Sequence, residues 1–522
     1  MNKALANLEP QISCTEVIEV IQEHLPALYF TFGRRRTETL AEELSRQWDF
    51  LNMEEKQQAR QLIRQAEEKN PGLFYLRREN LRRFLYQGIG YHHAGLSPAL
   101  KDLVERLYES RLIYVLFCTE TFAVGVNFPA ASTVFDSCRK WDGRVFRNLH
   151  NREFFQMAGR SGRRGYDETG RVFVCLDQRF PEQTAFYEED KMEPVQGRLM
   201  ITPNTVLNLL HWKNEAEIKT FLEKNLATYQ NNKEMRHIKQ EILKLEAELV
   251  KPEGAFCTVR RTPACQLERF KLRQELNYLS RRKNRHSLMA KERKKEIFSL
   301  LKIERQKCND KKCRQTEKKI KKITEKISFF NRQANYLSKN IREYEQEFTQ
   351  VLELLRQLGF IKGRELLPRG LFALNIHVQE ILVTELIFSG LLLEVPPAEA
   401  VAILAGIDYQ PGRDERVVKG NMPIKQITTL KNHLLHYGVP EHFCLWSPLP
   451  GPLACAWYEG ASFAALLQLS NLQEGDIFSL LRREIDLLRQ IERAAVNDPI
   501  VTQFAQNLRY KLDRDEVAIT GL

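Results

Sequence analysis

The segment Gln156-Met157-Ala158-Gly159-Arg160-Ser161-Gly162-Arg163-Arg164-Gly165 sets three arginines within five residues, spaced by glycines and a serine. A guanidinium group is permanently charged and meets a phosphate through two parallel hydrogen bonds. Glycine at every third position lets backbone and guanidinium approach a ligand without interference from a Cβ. Taken alone, the segment reads either as a phosphate-facing loop or as a basic surface turn.

It does not stand alone. Phe30-Thr31-Phe32-Gly33-Arg34-Arg35-Arg36 ends an apolar run, and Gly90-Tyr91-His92-His93-Ala94-Gly95-Leu96 precedes a helical pattern. Phe117-Cys118-Thr119-Glu120-Thr121-Phe122-Ala123-Val124-Gly125-Val126-Asn127-Phe128-Pro129-Ala130 follows another apolar run. In order and spacing, the four segments resemble motifs IV, IVa, V and VI of superfamily 2 helicases. Their wording is that of the superkiller-type DExH-box branch, the exosome-associated RNA helicases and their relatives.

The elements that would hold these segments alternate. Ala27–Phe32, Tyr114–Cys118, Thr133–Phe135 and Val172–Leu176 are near-continuous apolar runs, as expected of strands buried on both faces of a parallel sheet. Between them lie helical patterns such as Thr37–Trp48 and Pro98–Ser110. The second is opened by Ser97 as N-cap, with Pro98 at its first helical position. A lead-in helix is expected within residues 1–26, with Val17, Ile18, Ile21 and Leu25 on one face. The alternation predicts one α/β lobe over 1–190, with all four motifs in loops after the strands' carboxyl ends.

Beyond the lobe, Met235, Ile238, Ile242, Leu245 and Leu249 recur at 3-4-3-4 spacing. A longer stripe runs Ile320, Ile323, Ile327, Phe330, Ala334, Leu337, Ile341, Tyr344, Phe348, Val351, Leu355, Leu358. Such sustained heptads predict an antiparallel coiled-coil stalk over 233–350, its longer arm roughly 55 Å at 1.5 Å per residue. The distal part is basic, with Arg281-Arg282-Lys283-Asn284-Arg285-His286 and Arg293-Lys294-Lys295. It is either a solvated face or a contact for nucleic-acid phosphates. Cys257, Cys265, Cys308 and Cys313 bracket it. Four thiolates together could close a zinc site, although C-x7-C and C-x4-C are looser than the usual C-x2-C spacing, and free thiols are the other reading.

From Val378 the pattern is helical: Glu380–Leu393, Pro397–Ala405, Phe463–Leu469 and Asp476–Ala495. Ala456-Trp457-Tyr458-Glu459-Gly460-Ala461-Ser462-Phe463, Glu474-Gly475-Asp476-Ile477 and Asp513-Arg514-Asp515-Glu516-Val517 resemble the C-terminal helical domain of the same helicases. The resemblance implies a winged helix split by the stalk, over 191–232 and 351–378, and an all-α bundle over 379–522.

Composition favours a polyanionic partner without identifying it, since 79 Lys and Arg against 67 Asp and Glu leave a net charge of +12. Ten thinly spread cysteines favour a reducing cytoplasm. No signal peptide is expected at the start, and the apolar stretch Ile381–Val395 contains Glu385 and is too short to span a membrane.

The resemblance also implies roles. Arg160 and Arg163 would be arginine fingers reaching ATP phosphates; Gln156 would help fix the nucleotide, while Gly125 and Asn127 would couple nucleotide to nucleic acid. Arg34, His93, Thr119 and Thr121 would face the strand's backbone, and Arg482 would touch the threaded strand; His92 reads as a core or capping residue. Threonine hydroxyls and loop amides suit phosphate contacts that position a strand without reading its bases. No G-x-x-x-x-G-K-[ST] and no DExH segment after a strand occurs in the sequence. ATP and Mg²⁺ would therefore need a first lobe, either supplied by another polypeptide or lost from this one by truncation. The partners expected are single-stranded RNA or DNA and that P-loop/DExH lobe, with no membrane. The rival reading is a nonenzymatic nucleic-acid-binding or adaptor protein that keeps the helicase scaffold.

Overall fold

The computed structural model describes residues 12–74, 78–123, 129–163, 165, 167–176, 192–254, 266–280, 288–302, 311–418, 420 and 424–518. The chain forms two compact units, one of residues 1–195 with 354–522, the other of residues 196–353.

The first unit holds a five-stranded, all-parallel sheet. Its strands are β1 (Ala27–Phe30), β2 (Ile89–His92), β3 (Val115–Cys118), β4 (Ser132–Phe135) and β7 (Arg171–Val174), in the order β2-β3-β1-β4-β7. β5 (Arg139–Trp141) and β6 (Phe146–Asn148) make a separate antiparallel hairpin. Every residue of β1 to β4 is buried, which explains the apolar runs at β1 and β3. Tyr29, Phe30, Phe117 and Phe135 fill the centre, with Leu40, Leu44, Leu103 and Leu107 laid on them by flanking helices. The helix Pro98–Glu109 starts as the sequence predicts, Leu100 N donating to Ser97 Oγ at 3.4 Å. The lead-in helix is Cys14–Val20, capped by Ser13 and burying Val17 and Ile18.

In one respect the expected layout is corrected. The Gly159–Arg163 segment does not follow a strand's carboxyl end. It ends the helix Asn151–Ala158, and Ser161 bridges Ala130 on the approach to β4. A crossover helix between parallel strands runs antiparallel to them and so ends where the next strand starts. The arginine loop accordingly lies at the amino ends of β4 and β7.

The rest of the first unit is helical. Glu380–Phe388, Pro397–Ala405, Ile424–His436, Gly451–Tyr458, Phe463–Leu469, Glu474–Ala494 and Pro499–Leu512 follow a two-residue hairpin pair, β8 (Ile361–Lys362) with β9 (Glu365–Leu366). Glu380–Leu393 is two helices rather than one, broken at Ser389-Gly390, where Gly390 takes φ +78°. Trp457 is fully buried and donates from Nε1 to Leu512 O at 2.9 Å.

The second unit contains two long helices, Leu226–Gly254 and Lys311–Gln357, the latter passing into the first unit in its last turn. Met235, Ile238 and Leu337 are buried between them, flanked by Ile242, Phe330 and Ala334. The shorter helices Gln266–Leu279 and Leu288–Lys302 are joined by Arg293, which donates to Glu275 at 2.8 Å. Cys257, Cys265 and Cys308 lie outside the described residues, as does the side chain of Cys313. Among the described residues, no helix is long and apolar enough to cross a membrane, and no three His, Cys, Asp or Glu gather as a metal set.

Candidate functional site

The arginine loop is built by its helix end. His150 and Glu153 form a reciprocal cap at the start of Asn151–Ala158, and Ser161 Oγ donates back to Ala158 O at 2.6 Å. Gly162 then takes φ +92°, a conformation that disfavours any other side chain. The two arginines leave this turn in different company. Arg160 donates from Nε and Nη2 to the carbonyl of Ala123, which ends the short 3-10 helix after β3. Arg163 forms a fork to Asp167, Nε to Oδ2 and Nη2 to Oδ1 both at 2.8 Å, and its backbone N–H meets the same carboxylate at 2.7 Å. That side-chain hydrogen bond holds the Asp167 carboxyl down at about 2. Gln156 is exposed and lines a surface cleft of about 640 Å³ with Phe155, Gly159, Ser161 and Gly170. Gly125 and Asn127 lie outside the described residues.

The residues expected to face nucleic acid divide. Thr119 and Thr121 lie just beyond the carboxyl end of β3, Thr121 exposed and the two hydroxyls 2.9 Å apart. Arg482 lies over the Phe478 ring at 4.2 Å and donates to the carbonyls of Val517 and Ala518, each at 3.4 Å. Arg34 and His93 are placed otherwise. Arg34 donates to Asp476 at 2.6 Å and to Gln473 at 3.1 Å, at the start of the helix Glu474–Ala494. His93 is fully buried, flat against Tyr91, with Nε2 on Glu38 at 3.0 Å and Nδ1 accepting from Gly95 N at 3.1 Å. Burial lowers its pKa, and with Nδ1 as acceptor the neutral ring carries its proton on Nε2. His92 is buried as well, on Glu105 at 2.9 Å.

Sequence reasoning missed Arg78, Glu38 and Glu474. Arg78 stands in the run Leu76-Arg77-Arg78-Glu79-Asn80, which reads as solvated, yet its side chain is 4% exposed. The one usable signal was Glu474-Gly475-Asp476, noted for its resemblance but given no role.

Comparison with known proteins gives two matched regions: "Helicase conserved C-terminal domain" over residues 54–165 and "DSHCT (NUC185) domain" over residues 363–519. Superkiller complex protein 2 of Homo sapiens is 35% identical over 241 residues, 44% of this chain and 18% of that protein. ATP-dependent RNA helicase mtr4 of Schizosaccharomyces pombe is 34% identical over 239 residues, 44% of this chain and 20% of that protein. DExH-box ATP-dependent RNA helicase DExH10 of Arabidopsis thaliana is 33% identical over 244 residues, 45% of this chain and 24% of that protein. The matched stretches thus span about a fifth of these relatives. With a parallel α/β lobe, the Gly159–Arg163 turn and a helical C-terminal region all in place, the chain belongs to the superfamily 2 DExH-box RNA helicases of superkiller and exosome-associated type and corresponds to a C-terminal part of them.

Proposed function

We propose that this polypeptide is the second motor lobe, stalk-bearing winged helix and helical bundle of an ATP-dependent RNA helicase, which couples ATP hydrolysis to movement along single-stranded nucleic acid. The observation that carries the reading is the Gly159–Arg163 turn, which brings Arg160 and Arg163 out of one helix end with Gln156 on the adjoining cleft. A bound triphosphate with Mg²⁺ would present its γ-phosphoryl group as the electrophile for an attacking water, with ADP as the leaving group. Arg160 and Arg163 would stabilise charge on that group, and Gln156 would orient the nucleotide. The P-loop and DExH residues come from a first lobe outside this sequence. The β8–β9 hairpin stands for the wing, and the paired helices Leu226–Gly254 and Lys311–Gln357 for the coiled-coil stalk. Thr119, Thr121 and Arg482 would line the strand's path, while Arg34 and His93 would reach it only after leaving their present partners. We place the protein in the cytoplasm.

A second reading, a nonenzymatic nucleic-acid-binding adaptor, draws on the internal acceptors Ala123 O and Asp167 that already engage both arginines. Both readings share nucleic-acid binding, which is tested by titrating a labelled single-stranded RNA at several salt concentrations. Affinity should fall steeply with salt, each neutralised phosphate adding about 0.7 to the logarithmic slope. Replacing both Thr119 and Thr121 with Ala should weaken binding several-fold. Binding that is indifferent to salt and to both substitutions would refute the strand path.

A further inference from the structure

The turn after β2 and the start of the helix Glu474–Ala494 are some four hundred residues apart in sequence, yet they interlock. Gly475 N donates to Gly95 O at 3.0 Å. A Cβ on Gly475 would overlap the carbonyl oxygens of Ala94 and Leu96, so only glycine permits this approach. Beside it, Arg34 reaches from the end of β1 to Gln473 and Asp476. Beneath it lies Arg78. Its Nη1 donates to Glu38 at 2.7 Å and to the Tyr91 hydroxyl at 3.2 Å, while Nε donates to Glu474 at 3.3 Å. Glu38 also accepts a hydrogen bond from His93 Nε2, and His93 Nδ1 in turn accepts from Gly95 N. One chain of polar contacts, buried at Glu474, Arg78 and His93 and half-buried at Glu38, therefore runs into the turn that receives Gly475.

Burying an arginine against the carboxylate of Glu474, with the half-buried Glu38 on its other side, is a poor way to gain stability, because desolvation offsets most of the attraction. Such a network does fix geometry, because breaking one member leaves the others unpaired. We infer that the His93–Ser97 turn and the Gln473–Asp476 helix start form an interlocking joint, with Arg78 as its central positioning residue. Through it the arginine-bearing lobe and the helix carrying Arg482 move as one body. The meaning of this for strand movement rests on the function proposed above; the joint itself does not.

The test is amide hydrogen exchange on the full chain without nucleic acid or nucleotide. Gly475→Ala should speed exchange about tenfold or more in both 93–97 and 473–478, with β1 and β3 still protected. Arg78→Met should do the same, and adding Glu474→Gln should restore a large part of the protection on both sides. A residue that only stabilised the lobe would show no such rescue. If either variant fails to fold, Arg34→Ala, whose side chain is 40% exposed, gives the same two-sided readout at smaller amplitude. Faster exchange on one side alone, an even rise across β1 and β3, or no change overturns the joint.

Discussion

Arg160 and Arg163 are alike in sequence and unlike in setting. Arg160 rests on a neutral carbonyl, whereas Arg163 is balanced by a carboxylate that stays ionised down to about pH 2. That difference was not legible, because Asp167 is one of many acidic residues near basic ones and only the fold of the turn selects it. Glu484 is the more extreme case at this scale. It is 2% exposed, neither carboxylate oxygen has a partner among the described residues, and burial raises its pKa well above the ordinary value. Its proton is held more tightly in the folded chain than in the unfolded one. Stability from that proton is therefore complete below the unfolded value of about 4.3 and is lost as pH rises toward the folded value. Glu484→Leu should raise stability at pH 8 by about 1–3 kcal/mol and flatten the decline between pH 5 and 8, measured by urea unfolding at both ends. A destabilising Glu484→Leu at pH 8 would mean that the carboxylate is a needed, paired charge.

Among the elements, the legible ones were those whose burial wrote itself into the sequence. β1 and β3 are unbroken apolar runs, and the Ser97-Pro98 helix start carries its own cap. β2 was missed as a strand because Gly90 and His92 break its apolar run. Gly90 is there to admit Ile113 and Leu116, each 3.1 Å from where a Cβ would sit. The helices Ile424–His436, Gly451–Tyr458 and Pro499–Leu512 were not resolved within the helical region, because tertiary packing rather than a clean period sets their bounds. Two segments singled out far apart in sequence do meet: Arg514 stacks on Trp457 at 3.7 Å and donates to the carbonyls of Trp457 and Ala461, both at 2.8 Å. A partly buried cation–π contact and two charge-assisted hydrogen bonds make Arg514→Ala cost about 2–4 kcal/mol. Arg514→Lys should recover less than half, because an ammonium lacks the planar fork. Urea midpoints of the two variants check this; equal midpoints for Lys and Arg would reduce the site to simple charge.

At the scale of the whole molecule, the proposed function is divided. On that proposal the described part of this chain offers arginines and the threonines just beyond β3, while the groups that grip a triphosphate would belong to a lobe outside this sequence. The most direct measurement is ATP turnover with and without that lobe. This polypeptide alone should bind single-stranded RNA and hydrolyse no ATP. Mixed with a matching P-loop/DExH lobe, it should show RNA-stimulated ATPase, and Arg163→Ala should reduce turnover by about three to five orders of magnitude while RNA affinity holds. A reconstituted pair that binds RNA without turnover, or turnover unchanged by Arg163→Ala, would contradict the helicase reading and leave the adaptor in its place.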